Sequence, residues 1–370
     1  MYLPIWRPWL SSVLLSLFLS LAATGAELKT HNIFLITTDG LRWEEVFRGS
    51  DEAMINETFG RISDTNAVRA KYWRASPVER RAALMPFLWS TGVQQGQLLG
   101  NRDLKCDFRV SNPHHFSYPG YSEFLTGVVD PTIQSNDKIL NRNTNVFEYL
   151  HRHRGFAGKV AAVVNWDVLA WTLNTPRSQL PIWSAFEVPA GTKRLQVPAI
   201  LDETARRGHT FWKGETIDTL VASAALYTVK KHRPRALFVS YGETDDWAHE
   251  GHYERYLNAA HEFDLFLGDL WRLLQSLPQY RDSTTLVITA DHGRGPGPVA
   301  WKNHGAAIAE SAYLWLAVLG PDTAPLGERH DLPLHTQGQI AATVAAFTGV
   351  DWVKFYPNTA PPVVEVLRGK

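Results

Sequence analysis

The chain has 370 residues, 45% of them hydrophobic and 20% charged, which supplies a large core and excludes a disordered, charge-rich chain. Its 37 basic and 37 acidic residues cancel, so nothing in the totals marks a nucleic-acid partner. A single cysteine, Cys106, excludes an internal disulfide and cysteine-built zinc sites, whereas 14 histidines leave His/Asp metal chemistry to look for.

The N-terminus reads as an export signal over 1–26. Arg7 is the only charge before the apolar run Leu10–Ala23, and Thr24-Gly25-Ala26 supplies small residues for cleavage before Glu27. The run is shorter than the ~20 apolar residues a membrane span needs, so a retained anchor is the lesser reading. Residues 27–370 then form the mature chain, expected as one domain in the periplasm or secreted, with no stable membrane span.

From Asn32 onward, strands and helices alternate. The runs 32–38 (NIFLITT), 159–164 (KVAAVV), 236–241 (ALFVSY), 285–290 (TLVITA) and 313–319 (YLWLAVL) are almost continuously apolar, as strands covered on both faces are. Helical periodicity predicts helices over 146–153, 217–231, 253–276 and 337–348. The alternation predicts an α/β fold with a largely parallel central sheet and helices on both faces. Residues 175–198, with four prolines, read as an irregular surface excursion.

In such sheets, sites gather at the carboxyl ends of strands. Three of the predicted strands run into metal-ligand residues: NIFLITT into Asp39-Gly40, ALFVSYG into Glu243-Thr244-Asp245-Asp246-Trp247-Ala248-His249, and TLVITA into Asp291-His292-Gly293. A single aspartate after a strand is ordinarily a turn or cap residue; three at equivalent positions are not. Asp245 and His249, four apart, share one face if a helix begins there. Asp291 and His292 are adjacent and can converge only where the strand has ended. For a nucleophile, Ser117-Tyr118-Pro119-Gly120 reads as a turn into a short helix, with Ser117 where a helix N-terminus aims its amides at an anion. Ser122 is the rival serine.

The ordered set Asp39-Gly40, Ser117-Tyr118-Pro119-Gly120, Asp245-x-x-x-His249, Asp291-His292-Gly293 and a late histidine resembles the alkaline phosphatase superfamily of two-metal phosphate and sulfate ester hydrolases. The segment through Thr126-Gly127 is similar to the nucleophile segment of its nucleotide pyrophosphatase/phosphodiesterase branch, except that Gly120 stands where that branch has a phosphoryl-binding asparagine. The resemblance implies Ser117 as catalytic nucleophile, a first metal held by Asp39, Ser117, Asp291 and His292, and a second held by Asp245, His249 and His304, with His330 and His335 as alternatives. His304 is favoured because it precedes the strand YLWLAVL. The ligand types suit two Zn²⁺, with Mn²⁺ as the other option. Lys302 and Asn112 are the candidate substrate-binding residues, and Asp246 a candidate support for the ligands. The expectation is an exported hydrolase of phosphate mono- or diesters acting on a small molecule through a phosphoseryl intermediate. A sulfatase, a phosphomutase-like enzyme and a non-catalytic protein of this fold are the alternatives; no Arg follows Ser117-x-Pro119, so the pattern that marks a sulfatase serine for conversion is missing.

Overall fold

The computed structural model describes residues 27–208 and 212–368, together with Tyr2; the export segment otherwise lies outside the described residues. Ten strands are present among the described residues: β1 Asn32–Thr38, β2 Gly96–Leu99, β3 Phe108–Arg109, β4 Val160–Val164, β5 Ile182–Trp183, β6 Ala236–Tyr241, β7 Thr284–Ala290, β8 Leu316–Leu319, β9 Gly327–Glu328 and β10 His335–Thr336. Eight of them form one sheet in the order β5-β4-β6-β1-β7-β8-β2-β9, and β10 and β3 form a separate pair. From β5 to β7 every pairing is parallel; β8 runs antiparallel to β7 and to β2. The apolar runs are fully buried in β1, β4, β6 and β7, because helices cover both faces of a parallel sheet.

The long helices fall where periodicity places them, at Val146–Arg152, Asp218–Lys231, Tyr253–Ser276 and Gln339–Phe347. Three readings are corrected. The strand expected over 313–319 is only β8, since Tyr313 ends a short 3₁₀ turn. The excursion at 175–198 contains edge strand β5. Pro119 and Gly120 do not make a turn: the helix is already running at Ser117 and continues to Thr126. A proline in the first turn breaks no helical hydrogen bond, so it is as compatible with a helix start as with a turn. No helix among the described residues is long and apolar enough to cross a membrane.

β6, β1 and β7 are neighbours at the centre of the sheet. Their carboxyl ends therefore lie side by side, which sequence order alone does not show. The Asp39 amide donates to the Tyr241 carbonyl at 3.0 Å, carrying the pairing one residue past the strand.

Candidate metal centre and active site

Asp39 leaves β1 at a sharp turn. Gly40 has φ +58°, and a β-carbon there would lie 2.6 Å from Asp245 Oδ1, so only glycine both adopts this backbone and lets Asp245 approach. The Gly40 amide donates to Asp291 Oδ1 at 3.0 Å, and so does the His292 amide at 2.9 Å. These two bonds fix the Asp291 carboxylate and turn its second oxygen inward.

His292 is fully buried. Its Nδ1 lies 2.9 Å from the Gly293 carbonyl, which makes Nδ1 the protonated nitrogen and leaves Nε2 as a lone pair. Around that lone pair sit Asp39 Oδ1 at 3.1 Å, Asp291 Oδ2 at 3.5 Å and Ser117 Oγ at 3.5 Å. The first set that the resemblance implies, Asp39, Ser117, Asp291 and His292, thus converges on one point.

Both facing carboxylate oxygens, Asp39 Oδ1 and Asp291 Oδ2, are buried without a hydrogen-bond partner. Burial, and then their neighbours' negative charges, push both carboxyls well above the ordinary range. Two orphaned carboxylate oxygens and an imidazole lone pair aimed at one another are acceptors without a donor, which a divalent cation satisfies. The residues fit a metal on that ground.

The second cluster forms beside it. Asp245 Oδ2 lies 3.1 Å from His249 Nε2, and His249 Nε2 lies 3.0 Å from His304 Nε2. Asp245 and His249 sit on the helix Glu243–His249 that follows β6. His304 Nδ1 is 3.0 Å from the His115 carbonyl, so its Nε2 too is left as a lone pair. Burial and the neighbouring His292 push His304 down to about 2, keeping it neutral as a ligand must be. The rings of His292 and His304 stack at 3.9 Å with 19° between planes, which joins the clusters. Ligand atoms of Asp39, Asp291 and His292, and those of Asp245, His292 and His304, lie within 4.8 Å of one another in each group. The other late histidines lie elsewhere: His330 is exposed beside Asp331, and His335 faces Glu365 at 3.3 Å.

Ser117 opens the helix Ser117–Thr126, which Tyr121 anchors to the sheet through its hydroxyl, 2.9 Å from Ser240 Oγ. Of the first-turn amides, that of Tyr118 is already donated to Asn136 Oδ1 at 2.9 Å, and Pro119 has none. Amide recognition of an anion here is therefore narrower than the helix start suggests. Ser122 points away, its Oγ accepting from Asn141 at 2.9 Å.

Asn112 is committed to the loop before Ser117. Its Nδ2 donates to buried Glu123 at 2.9 Å, and its Oδ1 accepts the amides of His114 and His115. This placement orients Ser117 and does not present Asn112 to a substrate. The Lys302 side chain lies against Gly251, outside the lining of the pocket over the clusters.

That pocket, of about 220 Å³, is lined beyond the ligands by Asn136, Asn165, Trp166, Trp212, Glu215 and Asp246. Asn165 directly follows β4, a fourth strand end with the same apolar-run-then-polar signal as the other three. Glu215 and Asp246 share a hydrogen bond; burial raises Glu215 to about 7 against that bond, helped by the charge of Asp245, and burial with the charge of Glu215 raises Asp246 to about 12. Arg294 was also not anticipated from the sequence. It is 1% exposed, pairs with Asp245 Oδ1, and donates to the carbonyls of Trp301 at 2.7 Å and Lys302 at 2.5 Å. One guanidinium thus ties the His304 loop to the Asp245 helix. Burial works to raise Asp245, but Arg294, with His249 and His304, holds it well below the ordinary carboxylate range.

The Metalloenzyme superfamily profile matches residues 205–306, a stretch holding Asp245, His249, Asp291, His292 and His304. No curated protein gives a significant sequence match. Among solved structures, the alkaline phosphatase PafA superposes with a TM-score of 0.58 at 12% identity, over 92% of this chain and 99% of that one. A putative sulfatase from Bacteroides thetaiotaomicron gives 0.56 at 10% identity, over 92% and 75%. The phosphonate monoester hydrolase of Agrobacterium radiobacter gives 0.52 at 14% identity, over 91% and 77%. In its fold this protein is alkaline-phosphatase-like.

Proposed function

We propose that the chain is an exported metallohydrolase of phosphate esters, with Ser117 as the nucleophile. The observation that carries this reading is the position of Ser117 Oγ, 3.5 Å from the free Nε2 of His292 and beside the orphaned oxygens of Asp39 and Asp291. A hydroxyl is a weak nucleophile near neutrality, and this one is buried among metal-ligand atoms. Structural relatives that are named as a phosphatase, a sulfatase and a phosphonate hydrolase support the ester class.

Asp39, Ser117, Asp291 and His292 would hold one divalent ion and Asp245, His249 and His304 the other; when bound, these ions lower the proton affinity of hydroxyl and water and neutralise phosphoryl oxygens. Ser117 Oγ, giving up its proton, attacks phosphorus; the P–O bond to the ester oxygen breaks in line, the departing oxygen takes up a proton, and a phosphoserine forms. Water then attacks phosphorus, freeing phosphate and restoring Ser117. Asn136, its oxygen occupied by the Tyr118 amide, has its amide hydrogens left for a phosphoryl oxygen. Trp166 and Trp212 supply flat walls for the leaving group.

Metal-loaded protein assayed with nitrophenyl phosphate monoester, diester, phosphonate and sulfate tests the reading. Turnover of a phosphate substrate above the others is expected. Turnover of the sulfate alone, or of none of the four, would overturn it.

A further inference from the structure

Asn165, the residue after β4, is left unused by the proposed reaction. It is 3% exposed. Its backbone amide donates to the Ser240 carbonyl at 3.1 Å, and its carbonyl accepts the Thr216 amide at 3.0 Å. The backbone is thus held from both sides. β4 and β6 are neighbours in the sheet, which sets the Asn165 side chain beside the carboxyl end of β6.

A chain of hydroxyls orients that side chain. Tyr121 Oη lies 2.9 Å from Ser240 Oγ but 3.5 Å from Asp39 Oδ2, so its proton goes to Ser240 by the shorter contact. Ser240 donates its own proton onward to Asn165 Oδ1 at 3.3 Å. With Oδ1 serving as the acceptor, Nδ2 turns the other way. A β-carbon at Gly242 would lie 1.8 Å from Nδ2, so the glycine that follows β6 is what leaves the amide its space.

Nδ2 has no acceptor among the described residues and is not sealed off. Asn165 and Gly242 both line the pocket that also holds Ser117, Asp39 and Asp245. A donor fixed in place, left unspent and open to a reaction pocket is preorganised for an oxygen of a ligand.

The other lining groups narrow what that ligand is. Among the described residues, the ionisable groups around the pocket are acids and histidines, with no Lys or Arg. Lys138 is spent on Asp167 and Glu187, and Arg294 is buried against Asp245. The side-chain amides of Asn136 and Asn165 are therefore the donors at hand, and both are neutral. A neutral donor suits an oxygen that shares one negative charge; a second charge finds no cationic side chain to offset it.

We propose that Asn165 Nδ2 donates to a non-bridging phosphoryl oxygen of the substrate, and that the site is fitted to a singly charged phosphate diester over a doubly charged monoester. The inference rests on the hydrolase reading and deepens it to a substrate class.

Two measurements on the metal-loaded protein test it: kinetics with bis(4-nitrophenyl) phosphate and 4-nitrophenyl phosphate, and calorimetric titration with inorganic phosphate. The diester should be favoured at least about tenfold in kcat/KM. Asn165→Leu, similar in size and without a donor, should lower kcat for the diester about 10²-fold and weaken phosphate about tenfold. Its circular dichroism and metal content should match those of the wild type. Ser240→Ala keeps the donor but frees it to rotate, and should lower kcat about tenfold; this variant carries the test if Asn165→Leu fails to fold. Wild-type kcat and phosphate affinity in the variants, or a wild-type preference for the monoester, would overturn the proposal and leave the hydrolase reading standing. A wild type that turns over neither ester and binds no phosphate would overturn both.

Discussion

Gly120 seats the serine helix on the backbone of Asp291. A β-carbon at 120 would lie 2.4 Å from the Asp291 carbonyl oxygen, closer than real contacts allow. The helix therefore touches the end of β7 directly, and this contact brings Ser117 beside His292. The same contact leaves no room for a side chain at position 120. Asn136 places an amide side chain in the same pocket from another loop. We expect Gly120→Ala to cost ~1–3 kcal/mol through overpacking and to lower kcat as the helix lifts. Chemical denaturation and steady-state kinetics check both; wild-type stability with wild-type kcat would show that the helix has slack.

Arg294 is the next test. Breaking a buried ion pair from one side costs ~3–5 kcal/mol, and supports behind metal ligands set affinity by ~10–100-fold. Arg294→Met should therefore weaken one metal site by about that factor, read by titration against a competing chelator. Two sites of unchanged affinity would show that the Asp245 pairing is incidental.

For Ser117, removal of the attacking oxygen eliminates an interaction made in the reaction itself, so kcat should fall and metal binding remain. Ser117→Ala should lose kcat by ~10²-fold or more. Ser122→Ala, at a hydroxyl bonded to Asn141, should stay within about tenfold, or ~1.4 kcal/mol. Acid trapping with a labelled phosphate ester should mark the peptide containing Ser117. Label on Ser122 would reassign the nucleophile.

Metal content gives a separate readout. Elemental analysis should find close to two transition-metal ions, roughly the content of a two-metal hydrolase site, and chelation should abolish turnover. Asp291→Ala and His249→Ala should each lower metal content. His304→Ala should weaken one site and His335→Ala neither; the reverse pair of results would move the ligand to His335.

Export predicts that protein recovered from an extracytoplasmic fraction begins near Glu27, as N-terminal sequencing would show. Soluble cytoplasmic protein with an intact Met1 would refute it.

The sheet was legible because β1, β6 and β7 are almost continuously apolar runs, and the ligands because Asp or His follows each run within a few residues. β2 was not, since the four residues of GQLL are too few to show a period. Asn165 carried the same strand-end signal as Asp39, but an asparagine there reads as an ordinary turn residue. Glu215 and Arg294 carry no local signal: they reach the site through a loop bridge to Trp166 and through a buried pair with Asp245. Such partners become visible only when the chain has folded. Pro119 and Gly120 misled because the residues that favour turns also suit a helix start and a tight helix–strand contact.

The sheet order has a kinetic consequence. Asp39, Asp245 and Asp291 follow three adjacent central strands, whose amides should exchange with solvent only when the whole sheet opens. His304 sits on a loop held by the carbonyl bonds of Arg294 and by the His115 carbonyl, and such a loop can open alone. Deuterium should therefore enter around residue 304 long before it enters β1, β6 or β7: the site has a permanent floor and one hinged wall.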